Sequence, residues 1–184
     1  MSDLLENLQS QLAEQPGLPP LHLWQPPLSG DIDIVIRRNG EWWHEGAPIT
    51  RHALVKLFAS ILRREDDGEY YLVTPVEKWR LLVEDLPLLV TDFDVVHPMT
   101  DTQGVVVTTN VDRQYLLGKN YPLLLEAGDN SPGGADLIPA VSLDNNLLAR
   151  FDRPAYYRLV EIGEVNGSHL QILSEGQSFT IGNL

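Results

Sequence analysis

Residues 30–65 limit the fold more than any other stretch, because Asn39-Gly40 stands there between two apolar runs and an amphipathic segment follows at once. A tight type I′ hairpin needs positive φ at both central residues, and Asn-Gly supplies it at least cost. Before the turn, Ile32, Ile34 and Ile36 alternate with Asp33, Val35 and Arg37, the period of a strand with one buried face. A two-residue turn sets Arg38 against Glu41, Arg37 against Trp42, Ile36 against Trp43 and Val35 against His44. That register predicts Trp43 in the core beside the isoleucines. It predicts Trp42 on the opposite face, with the Arg37 guanidinium resting on its ring.

Gly46-Ala47-Pro48-Ile49 then turns the chain, and Thr50 is the expected N-cap of a helix. Leu54, Leu57, Phe58, Ile61 and Leu62 recur at helical spacing, with Arg51, His52, Lys56, Ser60, Arg63 and Arg64 on the other side. The spacing predicts one helix running through Arg64 and stopped by Asp66-Asp67-Gly68, its last arginines favoured by the helix dipole. So narrow a stripe needs a sheet to lie on, and the isoleucine face offers one.

The remaining chain reads mostly as strand. A short helix carrying Leu5, Leu8 and Leu12 and a proline-rich lead-in precede the hairpin, with Trp24 as its expected anchor. Residues 69–74 and 76–84 read as strands parted at Pro75, and 89–96 and 104–109 as two more. Residues 110–126 read equally as strands or turns. Beyond a polar loop at 128–136, strands are expected at 137–141, 146–151, 155–162, 169–173 and 177–181, with Asn166-Gly167 as a second hairpin turn.

Two parts of the chain echo each other. Asp31-x-Asp33 recurs as Asp92-x-Asp94, and Pro75, Leu81-Leu82 and Asp85-x-Pro87 recur as Pro139, Leu147-Leu148 and Asp152-x-Pro154. The pattern predicts a duplicated β-rich unit, the first copy carrying a helix. The expected organisation is an N-terminal helix and linker at 1–21, an α/β-roll domain at 22–88 and a β-roll domain at 89–184, an α+β fold. A ligand cleft is expected between the halves.

Residues 27–87 resemble the bacterial domain-of-unknown-function 1285 family. The likeness rests on Gly30-Asp31-Ile32-Asp33, Asn39-Gly40 with Trp42, Gly46-x-Pro48-Ile49-x-Arg51, Leu54-Val55-x-Leu57-Phe58, Leu62-Arg63-Arg64-Glu65 and Leu72-Val73-Thr74-Pro75-Val76-Glu77-Lys78. Thr109-Asn110 and Tyr121-Pro122-Leu123 extend it into the second half. The resemblance implies an α/β roll followed by a β roll with a repeated motif, and a regulatory or signalling role. It supplies no activity, cofactor or catalytic residue.

Composition narrows the chemistry. At 184 residues with 43% hydrophobic content the chain can bury a sizeable core. A formal charge of −13 opposes both a nucleic-acid partner and docking on anionic lipid. Without cysteine there is no thiol catalysis and no disulfide. No secretory signal and no membrane-length apolar run is seen, so a cytoplasmic location is expected.

No nucleophile elbow, phosphate loop or dinucleotide fingerprint occurs, and whether the chain is an enzyme stays open, as do its cofactor and oligomeric state. The candidate ligand-binding residues are Asp31, Asp33, Arg37, Trp42, His44, Arg51, Glu77 and Lys78. The aspartate pairs suit a divalent cation, a shared proton for acid–base work, or a solvated strand start that resists edge pairing. His44 suits a general base, or a hydrogen-bonded surface position. Arg51, placed against the helix dipole, suits Asp31, Asp33 or an anionic ligand. Glu77 and Lys78 suit a substrate clamp, or a surface ion pair. A non-enzymatic module for a small molecule or protein is the first reading. A metal-assisted hydrolase on the Asp-x-Asp pairs is the alternative.

Overall fold

The computed structural model describes residues 18–127 and 137–183, so the predicted N-terminal helix and the loop at 128–136 lie outside the described residues. The chain divides into two compact units, at Glu84 and Asp85. The first holds β1 (Leu28–Ile36), β2 (Trp42–His44), β3 (Ala47–Pro48), α1 (His52–Ser60), β4 (Leu62–Arg64), β5 (Tyr70–Val73) and β6 (Lys78–Val83). Its sheet runs β3-β2-β1-β6-β5-β4: two antiparallel meanders joined where β1 and β6 lie parallel.

The second unit holds β7 (Leu88–Val96), β8 (Gly104–Thr109), β9 (Gln114–Leu116), β10 (Leu123–Ala127), β11 (Leu137–Ser142) and β12 (Leu148–Phe151). After these come α2 (Arg153–Glu161), β13 (Glu164–Asn166), β14 (His169–Ser174) and β15 (Gln177–Asn183). Its larger sheet runs β9-β8-β7-β12-β11-β10, with β7 and β12 parallel. Counted within each unit, both sheets have the strand order 3-2-1-6-5-4. The predicted repeat is real. Asp31 and Asp92 each stand on the first strand of their copy, and Leu82 and Leu148 on the sixth.

The copies differ in their additions. In the first, α1 links strands three and four. In the second, α2 and a three-stranded meander, β13-β14-β15, follow strand six. β15 packs on β10 and β11, and β14 on β8. Buried Ser174 fastens this layer: its hydroxyl donates to the Leu117 carbonyl at 2.6 Å and accepts from the Val105 amide at 2.9 Å.

Three expectations are corrected. First, the hairpin register is shifted by one. Arg37 N–H donates to the Glu41 carbonyl and Gly40 N–H to the Arg37 carbonyl, with Gly40 at φ 82, so the loop has three residues and ends in a left-handed glycine. The same loop recurs at 65–69, with Gly68 at φ 84. Ile36 therefore faces Trp42, Val35 faces Trp43 and Ile34 faces His44. A one-residue slip exchanges the two faces of a strand. Trp42 is 1% exposed and stacks on Phe58 of α1 at 6.2 Å between ring centroids, while Trp43 takes the outer face.

Second, α1 stops at Ser60, and its N-cap is Arg51 rather than Thr50. Leu62, Arg63 and Arg64 leave the helix to pair with β5, because Asp67-Gly68 closes a hairpin instead of capping a helix. Buried Arg63 donates to the carbonyls of Leu21 and Trp24, both at 2.9 Å, and also meets Glu65. The lead-in is thus anchored by its carbonyls and by Leu21, 1% exposed, while the Trp24 side chain is half-buried.

Third, residues 153–161 are helix, not strand. Asp152 accepts from the Ala155 amide at 2.8 Å, an N-cap with Pro154 just inside the first turn. Ala155 and Leu159, one helical turn apart, are the buried pair.

Candidate functional site

The first unit's sheet has a covered face and one that lies open over β2, β1 and β6, while Tyr71 and Arg63, on the same face at β5 and β4, are buried. On β1, Ile32, Ile34 and Ile36 are buried, while Asp31, Asp33 and Arg37 are exposed and Val35 is half-buried. Parallel β6 contributes Arg80 and Leu82 to the open face, Glu84 follows just past its end, and β2 contributes Trp43. Val35 pairs with Trp43 on one side and with Leu82 on the other. An apolar strip therefore crosses three adjacent strands, about 10 Å between its outer members. Its end residue Leu82 is 61% exposed.

Ion pairs bracket the strip. Arg80 holds Asp31 with two hydrogen bonds, at 2.7 and 3.1 Å, and Arg37 holds Glu84 at 2.8 Å. The Arg37 guanidinium lies 5.0 Å from the Trp43 ring centroid, and the Trp43 indole donates to Glu41 at 3.1 Å. Hydrogen bonding to Arg80 draws the Asp31 carboxyl below its ordinary range. The Arg38 amide, followed by Arg37, does the same for Glu84. Shallow hollows of about 330 Å³ by Trp43 and Arg37, and about 240 Å³ by Asp31 and Leu82, indent the face.

The other candidates separate. Trp42 belongs to the core. His44 donates from Nδ1 to the Asp33 carbonyl at 2.8 Å. Arg51 occupies the N-cap position of α1 without a side-chain cap bond, and Arg80 holds Asp31. Lys78 binds Glu65 at 2.8 Å and lies 4.8 Å from the Tyr71 ring centroid rather than pairing with Glu77. Half-buried Glu77 anchors the turn before β6, its carbonyl accepting from the Thr74 amide. Arg37, Asp31 and Asp33 remain on one face. Leu82, Arg80 and Glu84 were missed there, although Arg80-x-Leu82-x-Glu84 alternates with buried Leu81 and so carries a strand signal.

In the second unit Asp92 is held by Arg158 at 2.6 Å, which draws its carboxyl below the ordinary range, and Arg158 also lies over the Phe93 ring. No group of three or more His, Cys, Asp or Glu side chains suited to a metal occurs among the described residues. No helix among them is long and apolar enough to cross a membrane.

Beside the strip, the Tyr71 phenol donates to Asp67 at 2.6 Å, and this bond, with burial, raises Tyr71 to about 12. A group raised above its unfolded value contributes its stability in full below about pH 10 and loses it as pH climbs through about 12. Burial and Asp144 raise Tyr121 as well. Ultraviolet titration should accordingly find late-ionising tyrosines, of which Tyr71→Phe removes the one near 12. Ordinary ionisation of every tyrosine would contradict the bond.

Fold and face together define a two-part α+β protein, built on one repeated six-strand topology, with a sheet face that sets exposed Leu82 and half-buried Val35 and Trp43 beside arginines. The N-terminal domain of the DUF1285 domain of unknown function matches residues 19–86, and the C-terminal domain of the DUF1285 protein of unknown function matches residues 87–181. The chain belongs to the DUF1285 family. It is similar to the crystal structure of a DUF1285 family protein from Silicibacter pomeroyi DSS-3, at 35% identity over 96% of this chain and 95% of that one, TM-score 0.85. A DUF1285 family protein from Shewanella baltica OS155 is similar at 32% identity over 71% of this chain and 91% of that one, TM-score 0.56. No curated protein matches the chain.

Proposed function

We propose that this protein is a non-enzymatic cytoplasmic binding module, regulatory in role, that engages a protein partner through the open face of its first sheet. The strip of Trp43, Val35 and Leu82 between two arginine–carboxylate pairs carries the reading. Trp and Arg dominate the energetics of protein interfaces, and a flat strip with a polar rim has the anatomy of one. The hollows beside it are open to solvent.

The metal-assisted alternative has weaker support. A cation needs carboxylate oxygens free of competing charge, and an arginine engages the first aspartate of each pair.

The test uses the full chain as bait in a lysate, beside Leu82→Lys and Trp43→Ala. A partner retained by the parent chain should be lost from both variants while their melting temperatures stay near its own. Equal recovery on all three baits, or no partner at all, would refute the reading.

A further inference from the structure

We propose a second docking site, on the C-terminal unit: a groove that takes an extended segment of a partner protein in which basic and apolar residues alternate. The groove encloses about 600 Å³ between the 97–103 segment on one side and β13 and β14 on the other. Its apolar wall gathers side chains that a lone domain would be expected to cover: Met99 is 100% exposed, Val165 65%, and Ile162 and Leu173 42% each. Asp101 and Glu164 join that lining, and no Lys or Arg occurs among the described residues in it. The polarity is one-sided, so the occupant must bring positive charge together with apolar side chains.

The edge of β13 says what shape that occupant has. Among the described residues β13 is hydrogen-bonded to β14 alone, and Glu164, Val165 and Asn166 are all exposed. An unpaired edge recruits another strand, and successive side chains of an added strand alternate between faces. A segment paired there can set its apolar residues beside Val165 and its basic ones, on the other face, beside Glu164.

The opposite wall is preformed. His97 and Met99 hold positive φ of 49° and 60°, unfavourable for residues with side chains. Hydrogen bonds keep them so: Thr100 Oγ1 donates to the His97 carbonyl at 2.7 Å, the Met99 amide to Gln103 Oε1 at 2.9 Å, and Gln103 Nε2 to the Leu173 carbonyl at 3.0 Å. The loop is thereby tied to β14 with Met99 held out in solvent, and such preorganisation lowers the entropy lost on binding.

A random linear-peptide library selected on the full chain tests the proposal. Selected peptides should alternate basic and apolar residues. A fluorescent copy of the best one should bind about tenfold more weakly to Glu164→Lys, and also to Val165→Pro, which removes the edge amide. Val165→Ser serves if the proline variant melts early. Binding should protect the 164–166 amides from hydrogen exchange and weaken with salt. Failure to select any peptide, selection of acidic ones, or equal binding to Glu164→Lys would overturn the assignment. So would a dimer of the free chain that Val165→Ser dissolves, since a second copy would then occupy the edge.

Discussion

Trp42→Ala should destabilise the protein by about 3–5 kcal/mol, as expected for a large aromatic removed from a core, while Trp43→Ala should cost under about 1 kcal/mol. Trp42 is 1% exposed and joins β2 to α1 through its stack on Phe58, so its loss opens a cavity between sheet and helix. Trp43 is half-buried on the open face under Arg37 and leaves no enclosed void. Urea unfolding followed by far-ultraviolet circular dichroism measures both without relying on the lost indole signal. The contrast tests the hairpin register directly. A two-residue turn would exchange the positions of the tryptophans, so a larger loss for Trp43→Ala would overturn the three-residue loop.

Asp85→Ala should cost about 3–5 kcal/mol, the penalty for leaving one member of a buried ion pair alone. Arg150 meets Asp85 through Nε and Nη2, at 2.9 and 3.0 Å, and the side chains are only 12% and 14% exposed. Its third nitrogen, Nη1, is also buried and has no hydrogen-bond partner among the described residues. Without Asp85 the guanidinium keeps a full charge in a poorly hydrated place. The double variant Asp85→Ala, Arg150→Met removes both charges and should recover most of the loss, since an apolar replacement of a buried pair is often near neutral. Chemical unfolding of the four proteins closes the cycle, and a double variant as unstable as Asp85→Ala would show that the charge is not the cause.

Which residues lie together was less legible than which residues form elements. Residues 155–162 read as strand because Tyr156, Tyr157 and Val160 favour one. In the structure the Asp152 cap and the buried pair Ala155 and Leu159 decide for helix. At Asn39-Gly40 the dipeptide suits either a two-residue or a three-residue loop, because a left-handed glycine serves both. Its choice reassigned both tryptophans. The open face could not be assembled from the sequence, since it requires β1 and β6 to lie side by side although 41 residues part Ile36 from Lys78. No local rule states a parallel pairing over such a distance.

By itself the sequence determined the alternation of β1, the presence of a helix after it, the presence of a turn at Asn39-Gly40 and the repeat marked by the paired aspartates. All are local periodicities or local turn chemistry, which short-range sterics and hydrophobic burial enforce wherever they occur. Within α1 the buried residues are Val55, Phe58 and Ala59, of which the expected stripe held only Phe58. Tertiary structure decided which tryptophan is core, where α1 ends, and which side chains form the strip of Trp43, Val35 and Leu82. Those outcomes depend on strand register and on pairing between distant segments, and a shift of one residue there inverts a face without altering any local pattern.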